Sequence, residues 1–189
     1  MANVKVEVSA RHLHITQSDL ETLFGEGYHL EKVKPLSQPG EFASSALVKI
    51  VGPKRELEGL RILGPCRQYT QVELAKSDCV YLGLKAPLRL SGKIEGSGVA
   101  KLVGPAGELE LKKGVIVAKR HLHITLHEAL TLGLKTGQEV SIKVEGERSI
   151  VFNKVEVRAH ENFSMAVHLD TDEGNAAGLD GETFGEIII

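Results

Sequence analysis

The chain contains Arg11-His12-Leu13-His14-Ile15-Thr16 and repeats it letter for letter as Arg120-His121-Leu122-His123-Ile124-Thr125. Each copy follows an apolar, β-branched run, Val4-Lys5-Val6-Glu7-Val8 before the first and Val115-Ile116-Val117 before the second. Such residues favour strands, and side chains two positions apart on a strand point to the same side. Each copy is therefore predicted to present two imidazoles on one face of a strand.

Short apolar runs separated by Gly and Pro continue along the rest of the chain. One example is Ala46-Leu47-Val48-Lys49-Ile50-Val51, which is followed by Gly52-Pro53. Strands this short and regularly punctuated favour barrels over an open α/β sheet. Helix signals are few, and the clearest are the stretch opened by Thr16 and the capping box that begins at Thr125. The pattern predicts a mainly β fold with a few short helices.

The repeat extends downstream of each histidine pair. Glu73-Leu-Ala-Lys-Ser-Asp78 aligns with His168-Leu-Asp-Thr-Asp-Glu173, so that Glu73 and His168 take matching positions. Arg67 and Arg158 are rough counterparts upstream of these two residues. The chain therefore looks like two duplicated units with partly diverged residues. A shorter echo, Lys49–Pro53 against Lys101–Pro105, is interpreted only as a shared turn preference.

Composition excludes several classes of function. The 189 residues carry 23 basic and 25 acidic side chains, for a net charge of −2, and no long Lys/Arg run. With 4% aromatic residues and no Trp, a nucleic-acid partner is not expected. Cys66 and Cys79 are the only cysteines and are interpreted as reduced thiols of a cytosolic protein. No apolar stretch approaches the roughly 20 residues that a helix needs to cross a bilayer. A cytoplasmic protein without a membrane partner is expected.

The two histidine pairs suggest metal sites. Three protein ligands with one open position are typical of a catalytic zinc site, and other divalent metals accept the same ligand types. One predicted set is His12, His14 and Glu73, and the other is His121, His123 and His168. Two neighbouring metals can hold attacking and leaving groups at the same time. The alternative is that each His-Leu-His segment is only a polar strand face over a buried Leu. This interpretation is the weaker one, because six identical residues recur in matching contexts.

A candidate anion-binding residue precedes Glu73. In Gly64-Pro65-Cys66-Arg67-Gln68-Tyr69-Thr70-Gln71-Val72-Glu73 a strand ends, turns and then reaches the predicted ligand. This arrangement places the Arg67 guanidinium within a loop of the metal. A planar guanidinium suits phosphate or carboxylate, although an ordinary exposed arginine is an equal alternative at this point.

These motifs resemble one known family. The paired Arg-His-Leu-His-Ile-Thr segments, the Gly-Pro-Cys-Arg-x-x-Thr-Gln-Val-Glu stretch and the segment from His168 to Gly178 are similar to those of PduL-type phosphate acyltransferases, also called phosphate propanoyltransferases or phosphotransacylases. The resemblance covers essentially the whole chain. It implies the reaction acyl-CoA + phosphate ⇌ acyl phosphate + CoA, two zinc ions and a pair of small β-barrels.

The resemblance also implies roles for individual residues. His12, His14 and Glu73 would hold one zinc ion, His121, His123 and His168 would hold the other, and Arg67 would bind phosphate and act in catalysis. Coenzyme A contacts are implied at Val8, Ser9, Ala10, Lys54, Arg61 and Asn175. The two basic positions suit the anionic groups of coenzyme A, while a plain solvated charge is the alternative for Lys54.

The family architecture implies interwoven barrels. Residues 1–10 with 119–189 would form the first barrel and residues 11–118 the second. An excursion near residues 25–45 would contribute to a homodimer. Microcompartment members of the family carry an N-terminal extension that this sequence lacks, so a free cytoplasmic form is expected, with acetyl as plausible an acyl group as propanoyl.

The mechanism that follows is direct attack of arginine-bound phosphate on a thioester that the metals polarise. No covalent acyl-enzyme is required. Two rival functions use the same residues: a dinuclear metal hydrolase or thioesterase, which would deliver water in place of phosphate, and a non-catalytic metal-binding module. Arg67, Lys54 and Arg61 favour phosphate and coenzyme A over both.

Overall fold

A computed structural model describes residues 2–189. It contains the following strands and helices in chain order: β1 (Ala2–Val8), β2 (His12–His14), α1 (Gln17–Phe24), β3 (Lys32–Pro35), β4 (Phe42–Val51), β5 (Glu56–Gly64), β6 (Gln71–Leu74), α2 (Lys76–Leu82), β7 (Leu88–Arg89), β8 (Gly98–Val103), β9 (Glu108–Ala118), β10 (His121–Ile124), α3 (Leu126–Leu132), β11 (Glu139–Val144), β12 (Ile150–Ala159), β13 (Ala166–Leu169), α4 (Thr171–Ala177) and β14 (Thr183–Ile188). Short strands dominate, with four short helices among the described residues.

Two compact units divide the chain. The first combines the described residues up to Ser9 with Ser37–Pro39 and Lys119–Ile189, and the second combines Ala10–Leu36 with Gly40–Ala118. Strand β1 pairs with β13 and β14 from the C-terminal part of the chain, so the sequence is interwoven. The short insertion Ser37–Pro39 was not foreseen from the sequence.

Each unit contains a closed six-stranded barrel. In the first unit the strand order is β1-β13-β10-β12-β11-β14, which returns to β1. In the second unit β4-β5-β2-β6-β9 closes because β8 pairs with both β9 and β4, while β3 and β7 are added at the sides. The predicted fold class, mainly β with two small barrels from a duplicated unit, is confirmed.

The repeated hexapeptide forms the same structure in both units. Strands β2 and β10 each pair parallel with one neighbour, β5 or β12, and antiparallel with another, β6 or β13. Leu13 and Leu122, the residues between the histidines, are fully buried in the two separate cores. Because strand side chains alternate, each leucine anchors its strand and leaves both imidazoles on the other face.

Capping side chains begin the helices that follow the histidine strands. Thr16 accepts a hydrogen bond from the Asp19 amide, and Thr125 accepts one from the Glu128 amide, each at 3.1 Å. Such caps satisfy amides that have no partner within the helix. Both predicted helices are therefore confirmed, and each begins directly after a histidine strand.

The Gly-Pro echo is more than a turn preference. The hairpin at Gly52 packs on the C-terminus of α2, where the Leu82 carbonyl accepts from the Lys54 amide at 3.0 Å. The hairpin at Gly104 packs in the same way on α1, where Leu23 accepts from Ala106 at 2.9 Å. A Cβ at either glycine would collide with the helix carbonyl. The echo thus marks two places where only glycine allows a hairpin to approach a helix end.

Candidate functional site

The first histidine pair meets Glu73 across an antiparallel ladder. His12 lies opposite Glu73 in the β2–β6 pairing. Its Nε2 atom is 3.7 Å from Glu73 Oε2, and His14 Nε2 is 3.8 Å from Glu73 Oε1. One candidate ligand atom from each residue lies within 4.8 Å of the other two, and all three residues are buried. The structure therefore brings together the first predicted ligand set.

A backbone contact fixes which His12 nitrogen carries the proton. His12 Nδ1 is 2.8 Å from the Ala10 carbonyl oxygen, which can only accept a hydrogen bond. Nδ1 therefore donates a hydrogen bond to this carbonyl, and Nε2 faces Glu73. Histidines that bind metals commonly make this contact through their other nitrogen.

His14 is held in the form that binds metals. Burial lowers its pKa well below the ordinary value, and the neighbouring His12 and Arg67 lower it further. A neutral imidazole offers a lone pair that a protonated one lacks. Two imidazole nitrogens and one carboxylate, with their candidate ligand atoms this close, fit zinc or a similar divalent cation.

Gln71 orients the Glu73 carboxylate. The fully buried Gln71 donates through Nε2 to Glu73 Oε1 at 2.7 Å and to Ser91 Oγ at 2.9 Å. Its carbonyl oxygen accepts from the Gly92 amide at 2.7 Å. Since every bond suits the same orientation of the amide, Gln71 holds the carboxylate in one position.

Ser91 connects this network to Arg67. Arg67 Nη1 donates to Ser91 Oγ at 3.3 Å, and Nη2 donates to Glu41 Oε1 at 2.5 Å. The Arg67 amide also donates to the Ile15 carbonyl at 2.8 Å, which fixes the loop beside the first histidine strand. The guanidinium is therefore tethered to the elements that carry His14 and Glu73. Gln71, Ser91 and Glu41 were not identified from the sequence.

The second histidine pair meets His168 in the equivalent ladder. His121 lies opposite His168 in the β10–β13 pairing, as His12 lies opposite Glu73. The ring centroids are 4.5 Å apart for His121 and His123, 5.2 Å for His121 and His168, and 4.8 Å for His123 and His168. The structure therefore clusters the three imidazoles of the second predicted set.

The surroundings of the second cluster repeat one feature of the first and add others. His121 Nδ1 is 2.9 Å from the Lys119 carbonyl oxygen, the contact that His12 makes with Ala10. Gln38, from the inserted segment, is hydrogen-bonded to both backbone groups of Ser164, and its Nε2 lies 3.4 Å from His168 Nε2. His121 therefore donates through Nδ1 to a backbone carbonyl, as His12 does, and is oriented in the same way.

The residues implied for coenzyme A lie in both units. In the first unit, Val8 ends β1, Ser9 Oγ lies 3.5 Å from His168 Nδ1, and the exposed Asn175 lies on α4. This helix packs closely on β1: a Cβ added at Gly174 would lie only 2.6 Å from Val8 Cγ2.

The second unit carries the other three implied contacts. The Ala10 carbonyl contacts His12, and Arg61 lies opposite His12 in the β2–β5 pairing. Arg61 Nη1 donates to the Ser44 carbonyl at 2.5 Å. Lys54 is exposed in the turn between β4 and β5. Arg61 is therefore beside the first ligand set, whereas Lys54 lies at the far end of its hairpin.

Comparison with known proteins gives the family. A family profile for phosphate propanoyltransferase matches residues 5–180. The chain belongs to the phosphate propanoyltransferase family. The phosphate propanoyltransferase of Levilactobacillus brevis is 45% identical over 186 residues, which cover 98% of this chain and 88% of the relative.

Two further relatives support the same family assignment. The phosphate propanoyltransferases of Lachnoclostridium phytofermentans and Thermotoga maritima are each 48% identical, covering 98% and 92% of this chain and 85% and 83% of their own lengths. Membership of the phosphate propanoyltransferase family makes the protein an acyltransferase. Among the described residues, no helix is long and apolar enough to span a bilayer.

Gln71 gives a first test of the candidate metal site. Gln71→Leu removes the donor that orients Glu73, and we expect zinc to bind about 10- to 100-fold more weakly, as when other partners of metal ligands are removed. Competition with a chromophoric chelator measures this affinity. Gln68→Leu, at an exposed position two residues before the buried Thr70, is the control. Equal zinc affinity in wild type and Gln71→Leu would contradict the orienting role.

Proposed function

We propose that this protein transfers a short acyl group between coenzyme A and phosphate, interconverting acetyl- or propanoyl-CoA with the acyl phosphate. The observation that carries the proposal is the hydrogen-bonded path from Arg67 through Ser91 and Gln71 to Glu73. It joins a guanidinium suited to phosphate to a ligand set suited to a divalent metal. The family comparison supports the same reaction.

Two zinc ions per chain belong to this proposal. His12, His14 and Glu73 would hold one ion, and His121, His123 and His168 would hold the other, in keeping with the two-zinc centre that the family resemblance implies. When bound, the ions supply Lewis acidity that stabilises negative charge on oxygen and sulfur. The differing third ligands, a carboxylate and an imidazole, give the two sites different net charges.

Arg67 positions phosphate for the reaction. Its guanidinium is about a quarter exposed and is held by Glu41 and Ser91, so phosphate exchanges for the Glu41 carboxylate at Nη2. A bound phosphate is then fixed as a nucleophile beside the thioester, which removes most of the entropic cost of the encounter. An oxygen of phosphate attacks the carbonyl carbon, a C–O bond forms, the C–S bond breaks and coenzyme A leaves as its thiolate.

The proposal also assigns contacts to coenzyme A. Lys54 and Arg61 supply positive charge on one hairpin of the second unit, which suits the phosphates of coenzyme A. Val8, Ser9, Ala10 and Asn175 are the other proposed contacts. Ser9 lies beside His168, and Ala10 accepts from His12, so both residues adjoin ligand sets.

A homodimer and a cytoplasmic location remain predictions. The segment near residues 25–45 contains β3, an edge strand whose four residues are all exposed, including Val33 at 61%. Its outer backbone groups are open to pairing with a second copy, whereas Lys32, Lys34 and Pro35 are residues that oppose edge-to-edge pairing. The dimer contact therefore stays a prediction.

Phosphate dependence tests the proposed reaction. Thiol release from acetyl-CoA and propanoyl-CoA is measured with and without phosphate, and then in reverse from acyl phosphate and coenzyme A. We expect release only with phosphate, because the nucleophile is phosphate and no acyl-enzyme forms. Equal thiol release without phosphate would contradict the proposal and favour the thioesterase alternative.

A further inference from the structure

An arginine–carboxylate pair flanks each ligand set. Arg11 precedes the first histidine pair, and its Nε and Nη2 atoms lie 3.0 and 2.8 Å from Asp78 Oδ1. Arg120 precedes the second pair, and its Nε donates to Glu173 Oε1 at 2.7 Å. Both carboxylates follow the third ligand by the same number of residues, so the contact recurs in the two units.

The second oxygen of each carboxylate holds the start of a helix. Asp78 Oδ2 accepts from the Ala75 amide at 3.1 Å, and Glu173 Oε2 accepts from the Asp170 amide at 3.0 Å. These amides lie two residues after the third ligands, Glu73 and His168. Each carboxylate therefore connects the chain just after the third ligand to the arginine just before the histidine pair.

The location of these pairs explains why they matter. His12 and Glu73 form one end of the short β2–β6 ladder, and His121 and His168 form the same end of β10–β13. Terminal ladder pairs separate most readily. The arginine–carboxylate contact lies immediately beyond this end, where it opposes separation of the third ligand from the first histidine.

Burial of the carboxylates distinguishes these contacts from ordinary surface ion pairs. The Asp78 and Glu173 side chains are 6% and 16% exposed, whereas Arg11 and Arg120 are 40% and 32% exposed. Fully exposed ion pairs contribute little because water and salt screen them, but removing either arginine leaves a shielded carboxylate without its cation. The pairing also survived divergence of the duplicated units, since Asp serves in one and Glu in the other.

We propose that Arg11 with Asp78, and Arg120 with Glu173, are positioning residues that each hold the third ligand against its own histidine pair. This inference rests on the proposed metal sites. Its specific consequence is that each arginine controls the affinity of one zinc ion and leaves the other ion unaffected.

Zinc affinity measured against a chromophoric chelator tests the proposal. In His123→Ala, where only the first ion is expected to bind tightly, adding Arg11→Ala should weaken zinc binding by about 10- to 100-fold, while adding Arg120→Ala should have no effect. In His12→Ala the two arginines should exchange roles. Lys49→Ala, which removes the exposed ion pair with Glu56, is the matched control.

Conservative variants separate positioning from simple loss of folding. Asp78→Asn keeps an oxygen that can accept from the Ala75 amide but loses the ion pair with Arg11. It should therefore weaken binding of the first zinc ion, as Arg11→Ala does. Arg11→Lys keeps the charge and should give an intermediate affinity. These variants decide the matter if Arg11→Ala fails to fold.

The outcomes are distinguishable. Unchanged zinc affinity in folded Arg11→Ala and Asp78→Asn would overturn the positioning role while leaving the metal sites intact. If substitution of one arginine weakened the binding of both ions equally, the positioning role would also be overturned, because that result indicates only general destabilisation of the fold. Absence of bound zinc in the wild-type protein would instead overturn the metal sites themselves, together with this inference.

Discussion

Arg67→Ala is expected to lower the rate of acyl transfer by about 10²- to 10³-fold. Losses of this size are typical when an enzyme loses a fixed hydrogen-bond donor that stabilises charge developing in the transition state. Arg67 is the group that would fix phosphate beside the thioester. Steady-state thiol release from propanoyl-CoA at varied phosphate measures the effect. The fold and the zinc content should not change, because the guanidinium hydrogen bonds go to the partly exposed Glu41 and Ser91.

Arg67→Lys distinguishes geometry from charge. Lysine keeps the positive charge but cannot make two parallel hydrogen bonds to phosphate, so we expect an intermediate rate and a raised KM for phosphate. Full activity in Arg67→Ala would show that phosphate binds elsewhere. Loss of zinc in Arg67→Ala would show that the arginine acts on the metal site and not on phosphate.

His12→Ala and His123→Ala are each expected to lose one of two tightly bound zinc ions and most of the activity. A site with three protein ligands that loses one binds metal far less tightly. If each ion contributes several kcal/mol to the transition state, a loss of about 10²- to 10³-fold in rate follows. Elemental analysis after dialysis gives the metal content, and thiol release gives the rate.

Exposed histidines serve as matched controls. His29→Ala and His127→Ala change the same side chain at exposed positions, and both should keep the zinc content and activity of the wild type. Active wild-type protein without bound metal would refute the two-zinc account. A variant at His12 that keeps both ions would refute its assignment as a ligand.

The sequence contained enough to predict the barrels and both helices after the histidine strands. Short β-branched runs and threonine caps are local signals, and the structure follows them. The alignment of Glu73 with His168 also predicted that these residues take matching positions in the two units, which no local signal contains. Both residues lie opposite the first histidine of their pair, because the duplicated units kept the same ladder register.

Contacts between distant segments could not be predicted. Glu41, Ser91 and Gln71 surround Arg67 and Glu73, yet barrel closure alone brings them together. The proposed equivalence of Arg67 and Arg158 also differs from the structure. Arg158 lies opposite His123 within the β10–β12 ladder, whereas Arg67 lies beyond the end of β5. The two segments differ in length, so sequence alignment alone did not locate the boundary of the strand.

The inserted segment Ser37–Pro39 is another example. Its Gln38 is buried against Ser164 and reaches His168, although more than a hundred residues separate them in sequence. A polar residue in a Ser-Gln-Pro-Gly stretch gives only a turn signal. Its burial depends on the partner strand, which periodicity cannot reveal.

Product stoichiometry shows whether phosphate or water accepts the acyl group. Purified protein is given propanoyl-CoA and phosphate, and the released thiol and the acyl phosphate, trapped as its hydroxamate, are measured in the same sample. We expect equal amounts of thiol and acyl phosphate at every time point, with both falling together in Arg67→Ala. Thiol released without a matching amount of acyl phosphate would show that water is the acceptor and would refute acyl transfer to phosphate.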